Sequence, residues 1–279
     1  MTMRISIVTP SLNQGRYIDE ALESVRRQAY PAVEHLILDG GSSDGTVEFL
    51  RDLDGRREWK HINWQSGPDS GQSSALNRGF KLASGDIIGW LNSDDRYRAG
   101  CFGHVARAFE ENPAVDVFYG DYALIDDFGK LVEVRREIEF NRFILLHHHV
   151  LYIATTTTFF RRRIFEDGNW LKPDLHYAMD YEFFLRLTAA GYRIQRIPQV
   201  LADFRVHPDS KSCRMKKDQL IEKQSIMRNF SVVTNRFRFR GLRSVIFLAL
   251  KISATLMRWS EKMLRGHYLV QYFAASRGE

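Results

Sequence analysis

The sequence predicts an α/β fold in which a mostly parallel central sheet is flanked by helices. Two observations carry that expectation. Short aliphatic runs alternate with amphipathic helical patterns over the first 98 residues, the signature of successive βα units. Each aliphatic run also ends in a polar cluster, and in a parallel sheet such clusters gather along one edge, where open α/β folds bind their ligands. The composition agrees: 44% hydrophobic and 27% charged residues are ordinary for a globular protein, and 279 residues suffice for one large domain with an appendage.

The elements follow in order. Residues 4–9 read as a first strand that ends in Pro10-Ser11-Leu12-Asn13-Gln14-Gly15. A helix follows, with Ile18, Ala21, Leu22 and Val25 on one face. Val33 to Leu38 form a second, branched and aliphatic strand, which ends on Asp39 and turns through Gly40-Gly41-Ser42-Ser43. The chain restarts at Asp44 ahead of a helical pattern of Val47, Leu50 and Leu53. A third strand around 61–65 leads into Gly67-Pro68-Asp69-Ser70-Gly71, and the next helix repeats Ala75, Leu76, Gly79, Phe80 and Ala83. A fourth strand over 86–91 ends in Asn92-Ser93-Asp94-Asp95. Beyond residue 98 the alternation is lost. Strands are expected over 115–122 and, rich in threonine, over 154–161, with a hairpin turn at 125–130. Asp180 opens a helix, 192–206 is extended with breaks around Pro198, and 216–230 is helical.

Several residue clusters carry chemistry. A carboxylate such as Asp39 at a strand end can accept from a base N–H, while the glycine turn lets a ligand approach the backbone; an ordinary turn with Asp44 or Ser43 as helix cap reads the same way. The carboxylates of Asn92-Ser93-Asp94-Asp95 suit a hard divalent cation, Mg²⁺ or Mn²⁺, although a solvated Asp-Asp turn is also consistent. Asp180 is either a helix cap or a general base that takes a proton from an attacking hydroxyl. His207, before Pro208, belongs to a loop and gains meaning only as part of a metal site. His147, His148 and His149 are consecutive and cannot converge on one ion, so they read as a loop.

Taken together, these pieces resemble the family 2 glycosyltransferases with the GT-A fold, over about residues 3–212. The resemblance rests on six motifs in order: Thr9-Pro10-Ser11-Leu12-Asn13, the stretch from Asp39 to Thr46, Asp69-Ser70-Gly71-Gln72 with Asn77-Arg78-Gly79, Leu91 to Asp95, Asp180-Tyr181-Glu182, and Arg205-Val206-His207 before Ser210 and Ser212. It implies a nucleotide-sugar donor bound over the first half of the sheet, with a glycan or polyprenyl-linked acceptor in the second. Thr9 and Asp39 would then meet the base, Asp39 accepting from the uracil imide N–H if the donor is a UDP-sugar, and Pro10, Asn13, Gly41 and Ser42 would also bind the nucleotide-sugar. Asp69 and Arg78 would lie near base or diphosphate, with Asn92 and Ser93 on the donor as well. Asp94 and His207 match the family's ligands to Mg²⁺ or Mn²⁺, and Asp180 matches its catalytic base, which implies direct displacement with inversion. The chain departs from the pattern at Asn92, where the family often has an acid; an amide brings no charge and implies weaker metal binding.

The organisation expected is a nucleotide-sugar-binding half (1–98), an acceptor-binding half (99–231) and a basic tail (232–279). The tail carries nine Lys/Arg against two Asp/Glu, a net of +7 in a chain whose total is +6, so the body is close to neutral. A neutral body argues against nucleic acid as partner. In the tail, Leu242, Val245, Ala249, Ile252, Leu256, Trp259 and Met263 fall at alternating spacings of three and four, with Arg243, Lys251, Arg258, Lys262 and Arg265 beside them. Such a helix suits the surface of an anionic membrane, packing on the catalytic body, or a homodimer contact. No run approaches the roughly 18 uncharged apolar residues of a spanning helix. With no signal-like N-terminus and two cysteines at no metal-type spacing, the expected place is the cytoplasmic face of the cell membrane. Asn92 leaves a second class open, a non-catalytic donor-binding or scaffold subunit, against which Asp94, Asp180 and His207 speak. A dinucleotide oxidoreductase would need G-x-G-x-x-G after the first strand, and the chain lacks it.

Overall fold

β1 (Ile5–Ser11) is buried along its whole length and runs parallel to a neighbour on either side, β2 (Val33–Asp39) and β4 (Ile87–Trp90). β3 (Ile62–Ser66) extends the sheet beyond β2, again parallel. Parallel neighbours need crossover connections, and these are α1 (Ile18–Arg26), α2 (Thr46–Leu53) and α3 (Gln72–Leu82). α1 buries Ile18, Ala21, Leu22 and Val25, the face its spacing predicts. Gly79 lets α3 lie directly on the sheet, because a Cβ there would fall 2.3 Å from Val8 Cγ1 and 2.9 Å from Leu38 Cδ2. In this computed structural model the described residues are 2–148, 150–208, 210, 216–231 and 240–267. His149, Ser212, Arg236, Phe237, Arg238 and Phe239 lie outside them.

The second half adds β5 (Arg96–Tyr97), α4 (Cys101–Glu111), β6 (Val117–Ile125), β7 (Leu131–Arg135), α5 (Arg142–His147), β8 (Thr158–Arg161), α6 (Arg163–Glu166), α7 (Met179–Ala189), β9 (Ile194–Arg205), α8 (Lys216–Phe230) and α9 (Arg240–Leu264). One sheet joins the halves in the order β3-β2-β1-β4-β8-β6-β9-β5, with β7 paired to β6. Six strands share one direction. β5, β7 and β8 oppose them, and β8 bridges the halves by running antiparallel to both β4 and β6. Successive residues face opposite sides of a strand, so Ile7 and Val8, and likewise Phe159 and Phe160, enter two different cores on the two faces of the sheet.

Some local readings change. Only Thr158–Arg161 of the threonine-rich stretch is strand; Thr155–Thr157 form a 3-10 turn. The Thr157 and Thr158 hydroxyls both donate to the Ala154 carbonyl (3.0 and 2.8 Å), which offers the backbone an alternative to the ladder. The break at Pro198 is a register shift in which Gly120 pairs with Ile197 but Asp121 with Val200, as expected where proline has no N–H to donate. The turn at 126–130 closes the β6–β7 hairpin, with Asp126 Oδ1 accepting from the Phe128 and Lys130 amides (2.9 Å each).

The tail helix corrects one of the three readings of its face. α9 docks on the body, but through Phe247, Ala254, Arg258 and Lys262. Arg258 and Lys262 pair with the buried Glu137 (2.8 and 3.1 Å), and the Glu139 amide donates to Glu261 (3.0 Å). The apolar row identified in the sequence therefore does not pack on the catalytic body. It points outward: Val245, Leu256 and Trp259 are 65%, 60% and 53% exposed. The ion pairs decide which face is hidden, because a buried Glu137 without its cations would be costly.

Candidate functional site

The carboxyl ends of the parallel strands open into a cavity of about 480 Å³. Pro10 and Ser11 reach it from β1, Asp69, Gly71, Gln72 and Ala75 from the approach to α3, and Trp90, Asn92, Ser93 and Asp94 from β4. The far wall holds Thr155, His176, Tyr177, Met179, Asp180, Arg205, Ser210 and Gln219. Of the residues singled out in the sequence, Pro10, Asp69, Asn92, Ser93, Asp94 and Asp180 line this space. His207 joins them through Asp94, with Nε2 3.1 Å from Asp94 Oδ2 although 113 residues separate the two. His147 and His148 do not line it.

Thr9, Asn13, Asp39, Gly41, Ser42 and Arg78 do not line the cavity either, and each has a visible reason. The Thr9 hydroxyl is buried against His35 Nε2 (2.9 Å), and burial pushes His35 down to about 3, so that imidazole is neutral. Asn13 adopts a left-handed backbone (φ 52°), tolerable for asparagine. Its amide donates to Ser42 Oγ and its Oδ1 accepts from the Ser43 amide, fastening the first loop to the second. Asp39 is fully buried and accepts from the Gly41 amide, the Ser42 amide and hydroxyl, and the Ser66 hydroxyl. It is thus the keystone of its turn and does not stand outside the core, as a strand-end position had implied. Arg78, on α3, has Nε and Nη2 buried with no hydrogen-bond partner.

Asp39→Ala is accordingly expected to cost stability before it costs binding. It removes the acceptor of four hydrogen bonds whose donors on Gly41, Ser42 and Ser66 are only partly shielded from water, at about 1 kcal/mol for each bond lost. Chemical denaturation measures this, and a midpoint equal to wild type would show that the turn is held by something else.

The motif after β4 is a network. Asn92 Oδ1 accepts from Trp90 Nε1 (2.9 Å) and Gln72 Nε2 (3.1 Å), and its Nδ2 donates to Asp95 (3.2 Å). An acid at 92 would place a third carboxylate against Asp95 and lose that donor, which accounts for the amide at this position. The Ser93 hydroxyl donates to the Pro10 carbonyl (3.1 Å) and ties the ends of β4 and β1 together. Asp95 points inward, accepting from the Thr156 hydroxyl and the Arg205 amide. Burial and the neighbouring Asp94 hold its carboxyl well above the usual range.

A layer that the sequence reading had not assigned orients the pair of Asp94 and His207. Arg205 is almost fully buried; its Nε donates to the Asp94 carbonyl (2.9 Å) and its Nη2 pairs with Glu20 (2.7 Å). Its guanidinium lies 4.9 Å from the Tyr17 ring, which in turn lies 4.9 Å from the His207 ring. The Tyr17 hydroxyl donates to Asp127; burial, reinforced by that carboxylate, pushes it up to about 12. Adjacency to His207 was a signal for Arg205. Nothing in the chain order marks Tyr17.

Among the described residues no three His, Cys, Asp or Glu side chains form a ready cage for an ion. The donor set nonetheless fits Mg²⁺ or Mn²⁺, which keep water and substrate phosphates in their shell and ask for one or two protein ligands. His207 Nδ1 is buried without a partner. With the proton there, Nε2 presents its lone pair beside Asp94 Oδ2.

Asp180 is the second residue of its helix, after the N-cap Ala178, and its Oδ1 accepts from the Tyr181 amide of the first turn (2.7 Å), so it satisfies a helix-end donor while it lines the cavity. α7 begins at Met179, and the preceding amides of His176, Tyr177 and Ala178 are satisfied by Glu222 (2.9, 2.8 and 2.6 Å). Burial raises the Asp180 carboxyl above its ordinary value, opposed by the positive charge of Lys223. Glu182 is buried and held by Lys172 (2.9 Å) and Arg186 (3.0 Å), which removes it as an alternative base.

Known proteins agree with this architecture. The glycosyltransferase EpsJ of Bacillus subtilis, itself uncharacterized, is 28% identical over 217 residues, 74% of this chain and 62% of that one. TuaG of the same species, named for teichuronic acid biosynthesis, is 33% identical over 94 residues, 34% of this chain and 37% of that one. The chain therefore spans less than two thirds of either relative. Among solved structures, residues 1–349 of S. aureus TarS with UDP-GlcNAc share the fold at 18% identity (TM-score 0.67, 90% of this chain, 72% of that one). So does the mannosyltransferase PcManGT of Pyrobaculum calidifontis with GDP-Man and Mn²⁺, at 17% identity (TM-score 0.59, 100% and 81%). A family model described as glycosyl transferase family 2 matches residues 6–168, from the first strand through β8 and the helix after it. That match spans more than half of the chain and contains the sheet edge built by β1 to β4, where the cavity opens: the chain belongs to glycosyl transferase family 2.

Proposed function

We propose that the chain is an inverting, divalent-metal-dependent glycosyltransferase. It moves a sugar from a nucleotide-sugar, a UDP-sugar, to a hydroxyl of a glycan or lipid-linked acceptor in surface polysaccharide assembly. The observation that carries this reading is the convergence of Asp94, His207 and Asp180 on one cavity from three separate segments. Two of them lie beyond the residues of the family match, so their roles rest on geometry. The UDP-GlcNAc and GDP-Man of the fold neighbours, the Mn²⁺ of one, and the teichuronic acid of one relative's name support the substrate class.

In this reading residues 1–98 bind the donor and residues 99–231 the acceptor. The base lies over the turn that Asp39 holds through Gly41 and Ser42, with Thr9 and Asn13 bracing it from β1. Asp69, Asn92 and Ser93 would meet the ribose and diphosphate, and Arg78, whose Nε and Nη2 are buried off the cavity, would turn to join them. Asp94 and His207 would hold Mg²⁺ or Mn²⁺, which when bound neutralises charge on the leaving diphosphate. Asp180 takes the proton of the acceptor hydroxyl; its oxygen bonds the anomeric carbon, and the bond to the diphosphate breaks on the opposite face, inverting the centre. The test is a screen of UDP-, GDP- and dTDP-sugars for hydrolysis and thermal stabilisation, with and without Mn²⁺. A UDP-sugar that stabilises only with metal is expected, and no response to any nucleotide-sugar would remove the reading.

The exposed row of α9 is read as a contact for the anionic inner face of the cell membrane, with Trp259 and Leu256 inserting and Lys251 exposed near them. No helix among the described residues is long and apolar enough to cross a membrane. Co-sedimentation with phosphatidylglycerol vesicles is expected and should be lost in Leu256→Asp/Trp259→Ser. Equal binding by both proteins would refute the contact, and a concentration-dependent dimer broken by the same changes would assign the row to a second copy.

A further inference from the structure

α8 follows the last strand of the sheet and turns Gln219, Glu222 and Lys223 toward the far wall of the cavity. It is anchored by Ile226 and Met227, both buried in the main core. One turn earlier, Gln219 Nε2 donates to the Tyr177 carbonyl (3.1 Å), and the Glu222 carboxylate collects the three amides of His176, Tyr177 and Ala178. His176, Tyr177 and Gln219 all line the cavity, on the same wall as Asp180. The next residue, Lys223, is half-buried and attracts Asp180 across the gap between the helices.

This arrangement is more than a helix cap. A helix N-terminus is commonly capped from its own chain segment, as Asp180 does for the Tyr181 amide, whereas the amides ahead of the helix are held by a side chain 44 residues further on. It therefore couples the loop before Asp180 to the position of α8. We propose that α8 is a positioning element for the base: Glu222 fixes the 176–178 loop at the acceptor wall, and Lys223 supplies the countercharge to the Asp180 carboxylate. This rests on the reading of Asp180 as base.

The groups that face Asp180 set the sign of the effect. From α8, Lys223 favours the carboxylate and Glu222 opposes it. From its own helix the Tyr181 amide donates to it (2.7 Å), while Glu182 is occupied by Lys172 and Arg186. His176 and Tyr177 adjoin it in the loop, and Asp69, Asp94 and Arg205 line the same cavity. Burial raises the carboxyl, so removal of Lys223 leaves only the backbone amides of Tyr181 and Asp180 against burial and Glu222, and the proton is held to higher pH.

The test follows the Asp180 carboxyl carbon by NMR in the full chain labelled at aspartate, its signal assigned by disappearance in Asp180→Asn. The titration midpoint is expected to rise in Lys223→Met and to stay near wild type in Lys223→Arg, which retains the charge. In the wild type itself a second, smaller displacement of the same signal is expected when Lys223 loses its proton, since interacting sites titrate as a pair. Amide exchange at His176, Tyr177 and Ala178 is expected to quicken by at least about tenfold in Glu222→Gln. An unmoved midpoint in folded Lys223→Met overturns the countercharge, as does a wild-type signal with no second step if that variant does not fold. Unchanged exchange in Glu222→Gln overturns the loop clamp. None of these readouts depends on turnover. Failure of the base reading would appear separately, as full turnover in Asp180→Asn with these titrations intact.

Discussion

Asp180→Asn is expected to lose at least ~10²-fold in kcat while donor affinity stays near wild type. A general base contributes ~10²–10⁴-fold, and an amide of the same shape cannot accept the acceptor's proton. The carboxylate also accepts from the Tyr181 amide, and the side-chain oxygen of asparagine can accept the same bond, so the substitution should not unravel α7. Stability should move in the opposite direction to activity. The folded-state carboxyl of Asp180 is raised from 3.8 by burial. A raised carboxyl contributes stability that is full below its unfolded value and lost as pH rises through the folded one. Wherever the group is ionised it therefore costs stability, and there the neutral amide should melt no lower than wild type. The same shift places the acidic limb of the kcat profile above the ordinary aspartate range, because only the carboxylate serves as base. Near-normal turnover by the folded variant would remove the assignment, and Glu182, buried and doubly paired, could not inherit it.

Removal of divalent cation by EDTA is expected to abolish transfer, with Mn²⁺ or Mg²⁺ restoring it. Asp94→Ala should weaken nucleotide-diphosphate binding strongly when metal is present and little when it is absent. Two protein ligands leave most of the coordination shell to the diphosphate and water, so cation and donor should bind interdependently. Asn92 adds no charge to this pair. Its amide is spent on Gln72, Trp90 and Asp95, so Asn92→Ala should act through the orientation of the loop and more weakly than Asp94→Ala. Isothermal titration with UDP, with and without Mn²⁺, separates the two cases. Full activity in EDTA would take the metal away from Asp94 and His207.

The first half of the fold was legible because each element there satisfies its own periodicity. β1, β2 and β4 bury nearly every residue, and α1 buries the face that its spacing marks. The second half was less so. β5 is two residues long, and it exists because β9 runs beside it. The 3-10 turn at 155–157 replaces strand because hydroxyls compete locally for a carbonyl. In the site, the motif acids could be picked out, but not the direction in which each would point. Asp39 and Asp95 turn into the structure while Asp94 and Asp180 face the cavity.

The sequence by itself determined the order of βα units, the edge on which the polar clusters meet and the family to which the chain belongs, because those follow from local period and from motifs in order. Tertiary structure alone decided three things. It brought His207 to Asp94 across 113 residues. It brought Glu222 to the three amides that lead into α7, beside the cavity wall that carries Asp180. It also turned the apolar row of α9 outward, because Arg258 and Lys262 were needed against Glu137. The physical reason is the same in each case: a buried polar group takes whichever partner the fold brings within reach, and distance along the chain does not encode that reach.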